Sequence, residues 1–476
     1  MHEDSTRRNP AELPSIEARL RSLVATRPVG EKLPSTRTLV AEHAASPLTV
    51  QRAVQRLVAE GLIETRPGAG NYVARPRIVR QADFGWQTTA LGAARTDANA
   101  IGTTMATSPP DAIAMHSGYP TDELMPTRLV KAALLRSARL PSALHRAPVA
   151  GERELRVWFA NEVAPVGGAR GQAASVDDVI ITPGGQSAMS SVFRALAVPG
   201  DAIVMESPTY WGAIAAARQA GLRIVPIARG ESAPLASELD DAITSSGARL
   251  FYAQPTFANP TGTLWNPAER SAILDVIRSR GVYLVEDDWA RDFAIDADAP
   301  SLVSEDTDGH VVYIRSLTKS LSPSIRVGAV IARGPALARI QVDRTVDDLY
   351  VSSILQNAAL DVVTDPGWRS HLRRLRADLG ARRDELARQV VAHLGADALT
   401  MVPHGGLNLW VRLPDRVDVI DLARRSRDSG VVFAPGNDWF PAEPTGSFIR
   451  LNYSGARIEQ FGTAAETIAR LLPTSR

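Results

Sequence analysis

Cysteine does not occur anywhere in the 476 residues, which excludes disulfides, thiolate metal sites and cysteine nucleophiles together. No metal site is read from the sequence, and covalent chemistry must use another side chain. Lysine is almost as scarce: among 53 basic residues only Lys32, Lys131 and Lys319 are lysines. An arginine-favouring genome accounts for that bias without any function, yet it leaves each lysine easy to weigh. No apolar run approaches a bilayer span, and the opening MHEDSTRRNP mixes charges of both signs with no apolar secretory core behind it. Membrane contact is not expected, and cytoplasm is the expected compartment. With 45% hydrophobic and 22% charged residues, the composition is that of a globular protein. Its length suggests about three domains, or one small domain beside a large one.

The net charge of +1 conceals a division along the chain. Residues 1–80 hold 13 basic and 8 acidic side chains, a local +5, whereas the rest carries −4. Local positive density is what phosphate contacts reward, so a nucleic-acid footprint is expected at the N-terminal end. In segment 14–27, Ile16, Leu20, Leu23 and Val24 fall on one helical face. Ser35 caps a second short helix carrying Leu39 and Val40. Ser46 caps a third, with Pro47 at its first position, Val50, Ala53, Val54 and Leu57 on one stripe, and Gly61 as its stop. Two short strands, Leu62–Thr65 and Asn71–Ala74, then flank the turn Arg66-Pro67-Gly68-Ala69-Gly70. Three helices and a hairpin make a winged helix-turn-helix over residues 1–78.

Residues 79–111 lose periodicity and turn small and polar, which reads as a linker. From 112 to 476, apolar segments such as DVIIT, AIVME, RLFYAQ, VYLVEDD and VVYIRS alternate with helical patterns. That alternation predicts an α/β domain, a mostly parallel sheet covered on both faces by helices. From about residue 368 a long Arg-rich helix followed by LNLWVRL and FIRLNYS predicts a smaller C-terminal α+β lobe.

In a helix-turn-helix the start of the recognition helix meets base edges while neighbouring side chains hold phosphates. Thr49, Gln51 and Arg52 are the exposed candidates there, with Gln51 suited to adenine and Arg52 to guanine. Arg37 and Arg66 are candidates for phosphates of a double-stranded operator, and Gly68 and Gly70 allow a tight wing. A protein-docking module with a solvated arginine face is the alternative. The stretch GEKLPSTRTLVAEHAASPLTVQRAVQRLVAEGLIETRPGAGNYVA resembles the GntR-type winged helix, from its Leu-Pro-Ser-x-Arg entry to its Gly-x-Gly wing. It departs from that pattern at Pro47, where the family usually has Arg.

Lys319 lies in YIRSLTKSLSPSIRVGAV, just after an apolar strand, with Ser316 before it and Arg326 after it. A lysine beside a cationic group in a desolvated pocket loses its proton readily, and the neutral amine attacks aldehydes. Ser316, Thr318 and Arg326 offer donors to a phosphate. Asp287 ends the strand VYLVEDD, where a carboxylate suits a protonated pyridine nitrogen, the requirement of pyridoxal phosphate. In ITPGGQSAM the amides of Gly185 and Gln186 open a helix, a favourable place for phosphate. Tyr210 is placed to stack on a ring and Asn259 to bond its phenolic oxygen. Singly, each has an ordinary explanation: a solvated lysine, a strand-end cap, a bare turn, a core tyrosine, a turn-forming asparagine.

Residues 112–476 resemble fold-type I aminotransferases, and the whole chain resembles the MocR subfamily of GntR regulators. The resemblance implies pyridoxal 5′-phosphate bound as a Schiff base to Lys319, with Asp287 on the pyridine nitrogen, Asn259 on the ring oxygen and Tyr210 stacked. It assigns Gly185, Gln186, Ser316 and Arg326 to the phosphate and Arg450, in SFIRLNYS, to an amino acid carboxylate. Two departures stand out. Trp289 occupies a position where many relatives have tyrosine, and LHRAPVAGERELR lacks the tyrosine many relatives offer across the dimer. The expected function is a DNA-binding regulator, a homodimer, whose aminotransferase-like domain senses an amino compound or the cofactor itself. The alternatives are an active aminotransferase of a small α-amino acid with an appended DNA-binding module, and a DNA-binding protein whose large domain only dimerises.

Overall fold

The computed structural model describes residues 12–75, 83–91, 105, 107–109, 111–164, 173–229, 232–298 and 300–473. The chain divides into two compact units, Met1–Ala93 and Ala94–Arg476. The division falls within the segment read as a linker. Most of that segment lies outside the described residues, although Gly85–Leu91 forms a short helix. Among the described residues, no helix is long and apolar enough to cross a membrane.

The first unit is a winged helix-turn-helix. Helices Glu12–Thr26, Thr36–His43 and Pro47–Ala59 precede strands β1 (Ile63–Arg66) and β2 (Gly70–Val73). The Ser35 side chain accepts from the Thr38 amide and that of Ser46 from the Thr49 amide, both at 3.1 Å, which satisfies helix-start donors that would otherwise lack partners. The third helix ends at Ala59, two residues before Gly61, which follows the capping Glu60 in the left-handed region with φ +72°. Ile16, Leu20, Leu23, Leu39, Val50, Ala53, Leu57, Ile63 and Val73 close one core. An element not foreseen joins the wing: Gly30 and Leu33 donate to Val73 and Asn71, and Lys32 pairs with Tyr72, adding a third extended segment to the hairpin.

The second unit is built on a seven-stranded sheet. Its strands are β4 (Val179–Thr182), β5 (Ala202–Ser207), β6 (Arg223–Ala228), β7 (Leu250–Ala253), β8 (Tyr283–Asp288), β9 (Val311–Ser316) and β10 (Gly328–Ile331), ordered β4-β10-β9-β8-β7-β5-β6. Neighbouring pairs are parallel except those of β10, which runs antiparallel to both β4 and β9. Strands β4 and β7 to β10 are almost entirely buried because helices cover both faces; this is why they read as continuous apolar runs rather than as alternation. The loops after the carboxyl ends of β4, β5, β7, β8 and β9 carry Gly185, Tyr210, Asn259, Trp289 and Lys319, so the sheet itself gathers the candidate site.

The smaller lobe holds a three-stranded antiparallel sheet of β11 (Asn408–Arg412), β14 (Phe448–Asn452) and β13 (Ala434–Pro435), backed by the helix Pro366–Leu394. It is not purely C-terminal. Strand β3 (Ile113–Ala114) pairs in parallel with β12 (Val431–Val432), and Ile113, Met115 and Leu124 pack into the lobe's core. The pairing of β3 with β12 brings the backbone carbonyl of His116 against Arg450.

Candidate functional site

In the first unit, Arg37, Gln51 and Arg52 are exposed, and Arg37 and Arg52 have no carboxylate partner among the described residues. Thr49 is half-buried, its hydroxyl 2.8 Å from that of Ser46, so the capping interaction engages it first. Arg66 is exposed but already occupied, 3.2 Å from Glu64 and 4.4 Å above the Tyr72 ring. Gly68 and Gly70 adopt φ +73° and +112°, which a side chain would strain, and they close the wing between paired Arg66 and Gly70. Pro47 takes the first helical turn behind the Ser46 cap. Gln51 and Arg52 thus remain the most available side chains at the start of the recognition helix.

In the second unit, Gly185, Gln186, Tyr210, Asn259, Asp287, Trp289, Ser316, Thr318, Lys319 and Arg326 line one cavity of about 760 Å³. Strand alternation selects among the three consecutive acids of β8. Glu286 turns away to accept the Leu302 and Val303 amides at 2.9 and 3.1 Å, and burial pushes its carboxyl up to about 7. Asp288 accepts from the Tyr313 hydroxyl at 2.7 Å. Asp287 alone reaches the cavity. Its Oδ2 accepts from Tyr252 at 2.7 Å and Gln254 at 2.8 Å; burial raises its pKa while those two bonds hold it down.

The Lys319 Nζ lies 4.2 Å from the Trp289 ring centroid and 5.8 Å from that of Tyr210. Burial lowers its pKa to about 8; Asp287 opposes the shift and Arg450 and Arg326 add to it. Trp289 donates its indole N–H to the Phe257 carbonyl at 3.1 Å, so it presents a face, with no hydroxyl, to the amine. Tyr210 donates to the Gln186 Oε1 at 3.1 Å, and Gln186 in turn donates to the Gly212 carbonyl at 2.9 Å. The Gln186 side chain is therefore engaged in positioning Tyr210, and its backbone amide is the group it can offer to a phosphate.

A phosphate cradle is recognisable beside the amine. Gly184 has φ +90°, and a Cβ there would sit 3.0 Å from both Arg326 Nη2 and Thr318 Oγ1. The first-turn amides of the helix Gly185–Leu196 have no partner within the helix. Thr318 Oγ1 is buried without a hydrogen-bond partner, and Arg326 has no carboxylate partner, among the described residues. An unpaired cation, an orphaned hydroxyl and free amides around a gap fit a dianionic phosphate. With Asp287 and Lys319 across the cavity, the donor set fits pyridoxal phosphate.

Arg450 is 1% exposed, does not line the main cavity and stands one layer behind Asn259. Its Nη1 donates to Asn259 Oδ1 at 3.2 Å and its Nη2 to the His116 carbonyl at 2.6 Å. Burial lowers its pKa to about 10. Asn259 Oδ1 is thereby occupied, and its amide nitrogen is the group left for a ring oxygen.

The sequence reasoning missed Tyr252, Gln254, Trp439 and Tyr119. Gln254 stands opposite Asp287 because β7 and β8 pair in parallel, Tyr252 with Val285. Knowing which strands are neighbours would have found both partners of Asp287. Tyr119, on the cavity wall, comes from the segment after β3, which carried no periodicity to mark it.

Residues 125–468 match the family of class I and II aminotransferases, and residues 15–73 match the gntR family of bacterial regulatory proteins. The probable rhizopine catabolism regulatory protein MocR of Rhizobium meliloti is 29% identical over 443 residues, 89% of this chain and 86% of that protein. The HTH-type transcriptional regulator YdfD of Bacillus subtilis, itself uncharacterised, is 25% identical, covering 91% of this chain and 90% of its own length. Among solved structures, the α-aminoadipate aminotransferase LysN of Thermus thermophilus, complexed with N-(5′-phosphopyridoxyl)-L-leucine, superimposes with a TM-score of 0.71 at 26% identity, covering 81% of this chain and 97% of that one. The chain belongs to the class I and II aminotransferase family, and its gntR-type N-terminal domain places it in the MocR subfamily of transcriptional regulators.

Proposed function

We propose that the chain is a pyridoxal-phosphate-dependent transcriptional regulator, with residues 1–78 binding DNA, 79–111 linking, and 112–476 binding an amino compound or the cofactor itself through Lys319. The observation that carries this reading is the shared cavity of Lys319 and Asp287, with an unpaired phosphate cradle beside them. When bound, pyridoxal phosphate supplies an aldehyde for amines and a ring that withdraws electrons. The chain's own groups do the rest. Lys319 holds its amine partly neutral, Asp287 offers a carboxylate to a ring nitrogen, Tyr210 and Trp289 exclude water, and Arg450 receives a carboxylate. A ligand shifts the regulator only by its difference in affinity for two arrangements of the chain.

A homodimer is part of the reading. Val342 and Val346, one turn apart on the helix Gly334–Asp348, and Leu349 just after its end are 67%, 82% and 60% exposed, a surface suited to a second copy. Paired winged helices would then read paired half-sites. Such a regulator acts on the chromosome, which puts it in the cytoplasm.

Active transamination is the second reading, favoured by Arg450, a buried guanidinium with no acid paired to it among the described residues. A 2-aminoadipate transaminase of Thermus thermophilus is 28% identical over 372 residues. The discriminating experiment titrates holoprotein with candidate amines, following cofactor absorbance, keto acid release and operator binding together. Absorbance change coupled to altered DNA affinity, without sustained keto acid, is the expected result. Steady keto acid release abolished by Lys319→Ala, with DNA affinity unmoved, would establish the enzyme instead.

A further inference from the structure

Trp439 is completely buried on the turn Gly436–Trp439 between β13 and β14. Its indole N–H donates to Asn259 Oδ1 at 3.2 Å, the same oxygen that Arg450 Nη1 reaches at 3.2 Å. Its ring centroid lies 4.8 Å from the Arg450 guanidinium carbon. Its carbonyl accepts from the Thr209 amide at 2.8 Å, one residue before Tyr210. One residue of the small lobe thus touches three positions around the candidate site, two through its ring and one through its backbone.

The guanidinium explains why an aromatic residue serves here. Arg450 has no carboxylate within ion-pair distance among the described residues, and its Nε has no hydrogen-bond partner. A buried charge left so is costly. A π face offsets part of that cost and, unlike an acid, does not compete with an arriving anion. A glutamate in its place would neutralise Arg450 and close it to ligand carboxylates.

We propose that Trp439 is a positioning residue that holds Arg450 poised for a ligand carboxylate and fixes the Asn259 amide towards the cofactor ring. The inference rests on the cofactor and ligand reading above. As a carboxylate draws Nη1 of Arg450 away, the indole N–H remains on Asn259 Oδ1 and keeps its amide oriented. Carboxylate recognition and ring environment thereby depend on the same tryptophan.

The test uses full-length holoprotein and two probes that share a side chain, L-leucine and 3-methylbutylamine, the second lacking the carboxylate. The affinity ratio of acid to amine is read from cofactor absorbance, together with the pH midpoint of that absorbance without probe. Trp439→Leu should lower the ratio roughly tenfold through loss of the π face. Trp439→Phe keeps a ring and loses the N–H, so it should move the pH midpoint while lowering the ratio less. A folded, cofactor-loaded Trp439→Leu with an unchanged ratio overturns the proposal, as does wild type with no preference for the acid. Should the leucine variant not fold, an unmoved midpoint in Trp439→Phe overturns it. Wild type that takes up no cofactor refutes the functional reading itself, a distinct result.

Discussion

The pH dependence of aldehyde capture at Lys319 follows from the surroundings of its amine. Burial lowers its pKa from an ordinary lysine value to about 8. At pH 7.5 about a quarter of such an amine is neutral, against roughly one in a thousand for a lysine near 10.4, a gain of about 200-fold in the nucleophilic form. The rate constant for capture of pyridoxal phosphate by apoprotein, followed by stopped-flow absorbance, should rise nearly tenfold per pH unit below 7 and flatten above about 8. N-acetyl-lysine in the same buffers corrects for ionisations of the aldehyde. The charges around the amine fix the sign of two variants. Asp287 opposes the lowering, so Asp287→Asn should move the midpoint down; Arg450 reinforces it, so Arg450→Leu should move the midpoint up. Linkage has a matching sign: the unfolded chain holds more protons between about pH 8 and 10.4, so this group makes apoprotein stability rise with pH across that window. A rate that keeps climbing past pH 10, or an upward shift in Asp287→Asn, would refute the reasoning.

Two further outcomes separate the units and the cradle. Arg52→Ala should weaken operator binding by about 1–3 kcal/mol in a gel-shift or anisotropy titration while cofactor uptake stays at the wild-type level. Gly184→Ala should weaken cofactor binding at least about tenfold, since φ +90° strains any side chain and the new Cβ meets Arg326 and Thr318 at 3.0 Å; equilibrium dialysis gives the number.

The winged helix was legible because its punctuation is local: Ser35 and Ser46 cap helices, and the Gly68 and Gly70 turn sits between strands only four residues long. The large sheet was legible as a class, since buried strands carry apolar runs. Two of its members escaped notice for physical reasons. Strand β6 contains Pro226 and is mostly unburied, which the edge of the sheet tolerates, and β10 is short and antiparallel among parallel neighbours. Asp287 and Lys319 were singled out by motif, but VEDD does not by itself say which acid faces the ligand; alternation along β8 decides it. Contacts between distant segments stayed hidden. Tyr252 on Asp287, Trp439 on Asn259 and the His116 carbonyl on Arg450 span 35, 180 and 334 residues of sequence, and only the fold brings them together.

The scarcity of lysine makes the central claim directly measurable. Holoprotein reduced with borohydride and digested should carry the phosphopyridoxyl mass on the peptide containing Lys319 and on neither Lys32 nor Lys131. A label distributed over the other two lysines, or absent from residue 319 in protein that has taken up the cofactor, would contradict the account.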